Sequence, residues 1–405
     1  MYRVKDKRRG EHEVLFIADS FLPHAGGSRV YYFNLYKRLA DKMGLRINVL
    51  TKKVVGWKEF DDAQSSENFR IMRRFKPLPT WNYSQLPKGL LPFPNALWRT
   101  LIGHQPILHA GDLFPPGLMC LSIKRLLNTP YLVYCHGEEI TQTDRYRNQP
   151  RIRNYVYNSA DAVVAASEFA RQNLLRIGIS PDRIHKITPG VDCSRFFPQR
   201  PNEELVRKLN LSGKTVLLTV ARLWPRKGHD FVLRAVAKVC HSFPHLRYVV
   251  VGKGPEKANL EQLARKLGIS SLVTFVGYIP EMELPEYYNL CDIFVMPNRE
   301  ESNGDIEGFG IVFLEAGASG KPVLGGRSGG TSEAVLEGVT GLLVDPENVD
   351  EIVASVSTLL EKPELCAKLG EAGRHRAVTE FNWDNRAEML FQVNQDIWAK
   401  SRAVR

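Results

Sequence analysis

Several things are scarce in this 405-residue chain, and each absence removes a class of protein. The six cysteines, Cys120, Cys135, Cys193, Cys240, Cys291 and Cys366, are scattered without C-x-x-C spacing. That argues against a zinc site and a disulfide framework, and for a reducing, cytosolic setting. No stretch reaches the ~18 uninterrupted apolar residues that a membrane-spanning helix requires. Near the start, the apolar run 14–18 is shorter than a signal-peptide core and is interrupted by Asp19, so it reads as a first strand. Low-complexity tracts are missing, and with 43% hydrophobic and 24% charged residues the chain has the material for a proper core. The positive charges are dispersed, with no helix-turn-helix, zinc-finger or RNP-type pattern to place them in a groove, so no nucleic-acid partner is expected.

What is present fills two domains, since single cores stop growing near ~250–300 residues. Lys and Arg number 55 against 44 Asp and Glu, a formal charge of +11 that attracts a diphosphate or an anionic membrane surface. Short apolar runs alternate with amphipathic segments of helical period, the pattern of βα units. Strands are expected at 13–18, 46–51, 107–110, 131–135 and 162–166, then at 215–220, 247–251, 273–277, 293–296 and 322–325. Runs such as VLLTV and YVVVG suit parallel sheets buried on both faces. Gly and Pro break the periodicity across 189–202. The expected division is therefore 1–197, 198–383 and a C-terminal helix 384–405 that packs back on one of the domains. Between 75 and 104 five prolines and two tryptophans disturb the pattern; a long loop carrying Trp81, Leu90, Leu91, Phe93 and Trp98 would suit an acceptor-side or membrane-surface lip.

Chemistry-bearing residues cluster after strands. The first strand runs into a Gly26-Gly27 turn at a helix start, where backbone N–H groups and helix polarity favour a phosphate. This turn matches neither a dinucleotide fingerprint nor a P-loop. After VLLTV come Arg222 and Lys227, where open α/β sheets bind ligands. The planar fork of one and the point charge of the other could grip a diphosphate. Further on, EGFGIVFLE places Glu307 in a loop, Phe309, Gly310 and Ile311 at a helix start, and Glu315 two turns into an apolar helix. Backbone N–H groups there can bind hydroxyls or phosphate, and a buried glutamate needs hydrogen-bond partners such as ribose hydroxyls.

Taken together, the AGG turn, the R-x-x-x-x-K pair, the E-x7-E segment and SGGTSEAVLEGVTGLLVDP resemble the family-4 class of retaining GT-B glycosyltransferases, which includes phosphatidylinositol mannosyltransferases. The resemblance covers nearly the whole chain and is stronger in its second half. It implies an α/β GT-B fold, two doubly wound Rossmann-like domains facing each other across a cleft. It also implies that Gly26, Gly27, Arg222 and Lys227 meet the diphosphate of a UDP- or GDP-hexose donor, that Glu307 holds the transferred sugar and Glu315 the ribose. The Gly252-Lys253-Gly254-Pro255 loop with Val276, Tyr278 and Ile279 would frame the base, and His136 in YCHGEEI would lie beside the sugar. Where many relatives carry a second histidine, this chain has Glu138. No metal or other cofactor is expected, since the Asp-x-Asp of metal-dependent transferases is absent. The implied reaction is front-face transfer to a hydroxyl of a lipid, glycan or small-molecule acceptor held near 104–117. Alternatives are a sugar-nucleotide epimerase or phosphorylase of the same architecture, or a non-catalytic membrane-surface partner of polysaccharide assembly.

Overall fold

The structure, a computed structural model, describes residues 12–24, 26–75, 93–102, 106–142 and 150–403. The chain divides into two compact units. Met1–Ile140, Asp144–Thr188 and Trp383–Arg405 make the first; Thr141–Thr143 and Pro189–Asn382 make the second.

The first unit is built on β1 (Glu13–Ile17), β2 (Arg46–Lys52), β3 (Phe69–Phe75), β4 (Ile107–Ala110), β5 (Tyr131–Cys135), β6 (Ala162–Ala165) and β7 (Ile184–Lys186). They form one parallel sheet in the order β3-β2-β1-β4-β5-β6-β7. Val14 lies opposite Ile47 on one side and Ile107 on the other. β1, β4, β5 and β6 are buried at every position, which is why they read as unbroken apolar runs. The second unit repeats the plan with β8 (Thr215–Val220), β9 (Leu246–Val251), β10 (Val273–Gly277), β11 (Ile293–Met296), β12 (Val323–Gly326) and β13 (Gly341–Val344). Its parallel order is β10-β9-β8-β11-β12-β13. In both sheets the strand order reverses, beside β1 and beside β8, and the carboxyl ends at such a reversal are where doubly wound sheets bind ligands.

Three strands escape the sequence reading, β3, β7 and β13, and all three lie at sheet edges. The passage into the second unit comes at Thr188–Pro189, ahead of Phe197. The reason is packing: Val191 and Phe196 are buried in the second unit's core, and the Val191 N–H donates to Phe381 O at 2.8 Å. The C-terminal helix Trp383–Ala403 belongs to the first unit. Asp384 accepts from Arg38 Nε at 2.9 Å, and Asn394 Oδ1 lies 2.8 Å from His109 Nε2 in a fully buried pair. Trp398 stacks on His12 with ring centroids 4.2 Å apart. Within the expected irregular stretch the helix Phe93–Ile102 forms, resting Phe93 and Leu97 on the core. Trp81, Leu90, Leu91 and His104 lie outside the described residues. No described helix is long and apolar enough to cross a membrane.

Candidate functional site

At the reversal in the second sheet, the loops after β8 and β11 meet. The turn Pro225–Lys227 follows β8, and its Arg226 carbonyl accepts the Arg299 N–H from the loop after β11 at 2.8 Å. Glu307, further along that loop, takes Arg226 Nη1 at 2.8 Å and the Lys227 ammonium on the same carboxylate oxygen. Arg226 Nε also faces Asp305 at 3.3 Å. Arg226 and Lys227 are buried, at 8% and 9% exposure, so their charges require these carboxylates. Burial alone would raise the Glu307 carboxyl, but Lys227 and Arg226 outweigh it and hold the group ionised, at about 2. Burial, reinforced by Arg226, brings the Lys227 ammonium down to about 8 against the opposing pull of Glu307.

Beyond Glu307 the chain turns into the helix Ile311–Ala318 through Gly310, whose φ of 90° suits glycine alone, and where a Cβ would stand 2.5 Å from the Phe313 ring. The Phe309 side chain is consumed by the core, against Phe381. The N–H groups of Phe309, Gly310 and Ile311 find no acceptor among the described residues, so the helix start offers donors beside the Glu307 loop. The SGG segment buttresses that loop: Gly330 N–H donates to Glu307 O at 2.9 Å. Glu315 is buried and accepts from Tyr288 Oη at 2.6 Å. Burial, only partly offset by that hydrogen bond, raises its carboxyl to about 7, with Glu281 adding to the rise and Arg195 opposing it.

Arg222 is exposed, its guanidinium 5.8 Å from the Trp224 ring centroid, with no carboxylate partner among the described residues. Its guanidinium keeps its charge available for an anion. Gly252 and Gly254 press against its loop, where a Cβ on either would come within 2.3 Å of the Ala221 or Leu223 carbonyl oxygens. Leu223 N–H donates to Lys253 O at 3.0 Å, so these glycines hold the Arg222 loop in place. Val276 packs on the core, while Tyr278 is 52% exposed beneath the Lys253 ammonium, 5.7 Å from the ring centroid. A hollow of about 310 Å³ between the helices His229–Val239 and Lys257–Lys266 contains none of the predicted site residues.

In the first unit Gly26 caps the helix Gly27–Met43, its carbonyl accepting the N–H groups of Arg29 and Val30, both at 3.1 Å. The Arg29 side chain lies over Gly26, and its Nε donates to Ser20 Oγ at 2.7 Å. His136 follows β5. Its N–H and that of Gly137 donate to the buried Glu139 carboxylate at 2.9 and 3.0 Å, while its ring meets Tyr32 Oη at 2.6 Å.

The structure thus gathers Lys227, Glu307, Phe309, Gly310 and Ile311 on one edge of the second unit, with Arg222 on the loop that leads into Lys227. In the first unit, Gly26 and Gly27 follow β1 and His136 follows β5, both past the carboxyl ends of interior strands. Arg226, Asp305 and Tyr288 were not foreseen. Arg226 sits next to a predicted cation and could have been found by asking what keeps two adjacent buried charges; Tyr288 carries no signal apart from its aromatic character.

This fold, with cations and an ionised glutamate at a sheet reversal, defines a glycosyltransferase of the GT-B type. Residues 201–376 match Glycosyl transferases group 1 and residues 25–195 match Glycosyltransferase Family 4. The GDP-mannose-dependent α-(1-6)-phosphatidylinositol monomannoside mannosyltransferase of Mycolicibacterium smegmatis is 32% identical over 94% of this chain and 97% of its own. The D-inositol 3-phosphate glycosyltransferase 2 of Catenulispora acidiphila is 29% identical over 93% and 90%. The chain belongs to glycosyltransferase family 4. Among solved structures, sucrose-phosphate synthase from Thermosynechococcus elongatus superposes with a TM-score of 0.80 at 23% identity, covering 96% of this chain and 100% of that one. Anabaena HepE in complex with UDP gives 0.78 at 20%, with the same coverage. Both share the fold.

Proposed function

We propose that the enzyme transfers a hexose, with retention, from a nucleotide diphosphate sugar to a hydroxyl of an inositol-bearing lipid or related small molecule. The observation that carries this reading is the Glu307 carboxylate, kept ionised by Arg226 and Lys227 beside unpaired N–H groups at a helix start. A carboxylate so placed can accept hydrogen bonds from hydroxyls of the transferred sugar. Lys227, Arg222 and the N–H groups of 309–311 would bind the diphosphate and stabilise charge as it departs. Gly26, Gly27 and His136 are the first unit's contributions, and Glu315 with the 252–255 loop, Val276 and Tyr278 would hold the nucleoside. The donor phosphate would take the acceptor's proton on the front face, and cations with helix polarity would replace a metal. GDP-mannose is the favoured donor, because the mycobacterial relatives that match along more than nine-tenths of both chains are named for it.

The test offers GDP-mannose and UDP-glucose with phosphatidylinositol and inositol-phosphate acceptors, with and without EDTA. Products are read by mass spectrometry and the new anomeric centre by NMR. Expected are a glycosylated product, free nucleoside diphosphate, an α-anomer from an α-donor and no effect of EDTA. Sugar isomerisation without transfer would favour the epimerase reading, and no binding of any donor the non-catalytic one.

The helix Phe93–Ile102 supports contact with a membrane surface. Ala96 and Thr100 are buried, while Trp98, Leu101 and Ile102, at i, i+3 and i+4, are 62%, 57% and 53% exposed, with Arg99 between them. Vesicles containing anionic lipid should retain the wild type and lose the Trp98→Ser/Leu101→Ser variant.

A further inference from the structure

Tyr32 lies inside the helix Gly27–Met43, 1% exposed, where an aromatic residue would ordinarily serve only the core. Its hydroxyl nevertheless has two polar neighbours. It donates to the Gly111 carbonyl, at the carboxyl end of β4, and lies 2.6 Å from His136 Nε2, beyond the carboxyl end of β5. A phenol has one proton to give, and a carbonyl oxygen has none. With that proton committed to Gly111 O, the contact to His136 is a hydrogen bond only if Nε2 carries the hydrogen and donates it to Tyr32 Oη. A neutral imidazole protonated at Nε2 has its lone pair on Nδ1.

The rest of the surroundings hold the ring in that pose. Tyr31 and Tyr32 meet it edge-on, with centroids at 5.8 and 5.6 Å. The Glu139 carboxylate, accepting the backbone N–H groups of His136 and Gly137, fixes the turn from which the ring projects. His136 Nδ1 has no partner among the described residues.

We infer that Tyr32 is a positioning residue: through the Gly111 carbonyl it fixes the tautomer of His136, so that Nδ1 is presented as a hydrogen-bond acceptor to a hydroxyl of the transferred sugar. The sugar contact rests on the function proposed above; the tautomer does not. A chain that placed phenylalanine at 32 would leave the imidazole free to carry its proton on either nitrogen, and any fraction that carried it on Nδ1 would oppose a donating hydroxyl with a second donor.

The two parts are tested separately. Long-range 1H–15N correlation spectra of histidine-labelled protein at about pH 8, where an ordinary imidazole is neutral, identify the tautomer, with His136→Asn assigning the signal. Wild type should show a protonated Nε2 and an unprotonated Nδ1, and Tyr32→Phe a mixture of the two. Protonation at Nδ1 in the wild type, or an unchanged tautomer in Tyr32→Phe, overturns the inference without reference to turnover. In transfer assays Tyr32→Phe should lose ~10- to 100-fold in kcat/KM, by analogy with the loss on removing the orienting partner of a metal-bound histidine. In a His136→Ala background the same change should have no further effect, because Tyr32 acts through the imidazole. An additive loss in the double variant overturns the positioning role. Full activity of His136→Ala would instead remove the sugar contact and leave the spectroscopic result standing.

Discussion

Arg226 Nη1 stands 2.8 Å from Glu307 Oε2 across 81 residues of sequence. β8 and β11 are neighbours in the sheet, with Leu217 opposite Ile293, so the loops that leave their carboxyl ends necessarily converge. The pair is therefore a direct product of the strand order.

Replacing Glu307 by Gln leaves Arg226 and Lys227 side by side and buried. Transfer should fall at least ~100-fold, the scale for losing one preorganised electrostatic contact, and stability by about 3 kcal/mol, as when a buried pair loses one partner. Because Glu307 ionises near 2 in the fold and near 4.5 outside it, the wild type's advantage is complete above 4.5 and disappears as pH falls toward 2. Equal stability of the two proteins by urea titration at neutral pH would contradict the arrangement.

Glu315 predicts the opposite dependence. Its ordinary value is 4.5 and its folded value about 7, so between them the unfolded chain binds fewer protons and stability declines as pH rises, levelling off above 7. Glu315→Gln does not ionise and retains Tyr288 as a donor. Its melting temperature relative to wild type should climb from about pH 5 to about pH 8, by the equivalent of roughly 3 kcal/mol at most. A flat difference in calorimetry would show that Glu315 is ionised in the fold.

Arg222 is exposed and has no acid partner among the described residues, so Arg222→Ala should leave the melting temperature nearly unchanged while weakening the site. The expected loss in kcat/KM is ~10- to 1,000-fold, typical of one charge-stabilising donor. Arg222→Lys should recover only part of it, since an ammonium lacks the planar fork. Full recovery would mean that charge alone matters there.

Asn394 joins the C-terminal helix to His109 in a site without water access. Asn394→Ala orphans a buried imidazole nitrogen and should destabilise the first unit by ~1–3 kcal/mol. Hydrogen exchange should quicken in β1, β4 and the helix Gly27–Met43, while β8 to β11 keep their protection.

Much of this was legible before any coordinates. β4, β5, β8 and β11 fall on the predicted residues because central strands must be apolar on both faces. Of the four edge strands only β10, the apolar VTFVG, was legible; β3, β7 and β13 were not. β3, written FRIMRRF, carries three arginines, and β7 has only three residues; an edge strand faces solvent along one side and is blunted by charge and brevity, so neither follows the apolar rule. At the site, cations and acids after strands announced themselves. Which carboxylate would pair with which cation depended on sheet order, and Tyr32 and Tyr288 looked like core residues because, except for one oxygen each, that is what they are.

The chain reaches the second unit at Pro189 and returns to the first only at Trp383. Most of the second unit is thus a continuous insertion in the first. During synthesis, which proceeds from the N-terminus, residues 189–382 can complete their sheet while the first unit still lacks the helix whose Asn394 meets His109 and whose Trp383 meets Tyr31. The earlier half of the sequence is therefore the later one to mature, and the first unit waits on the helix Trp383–Ala403.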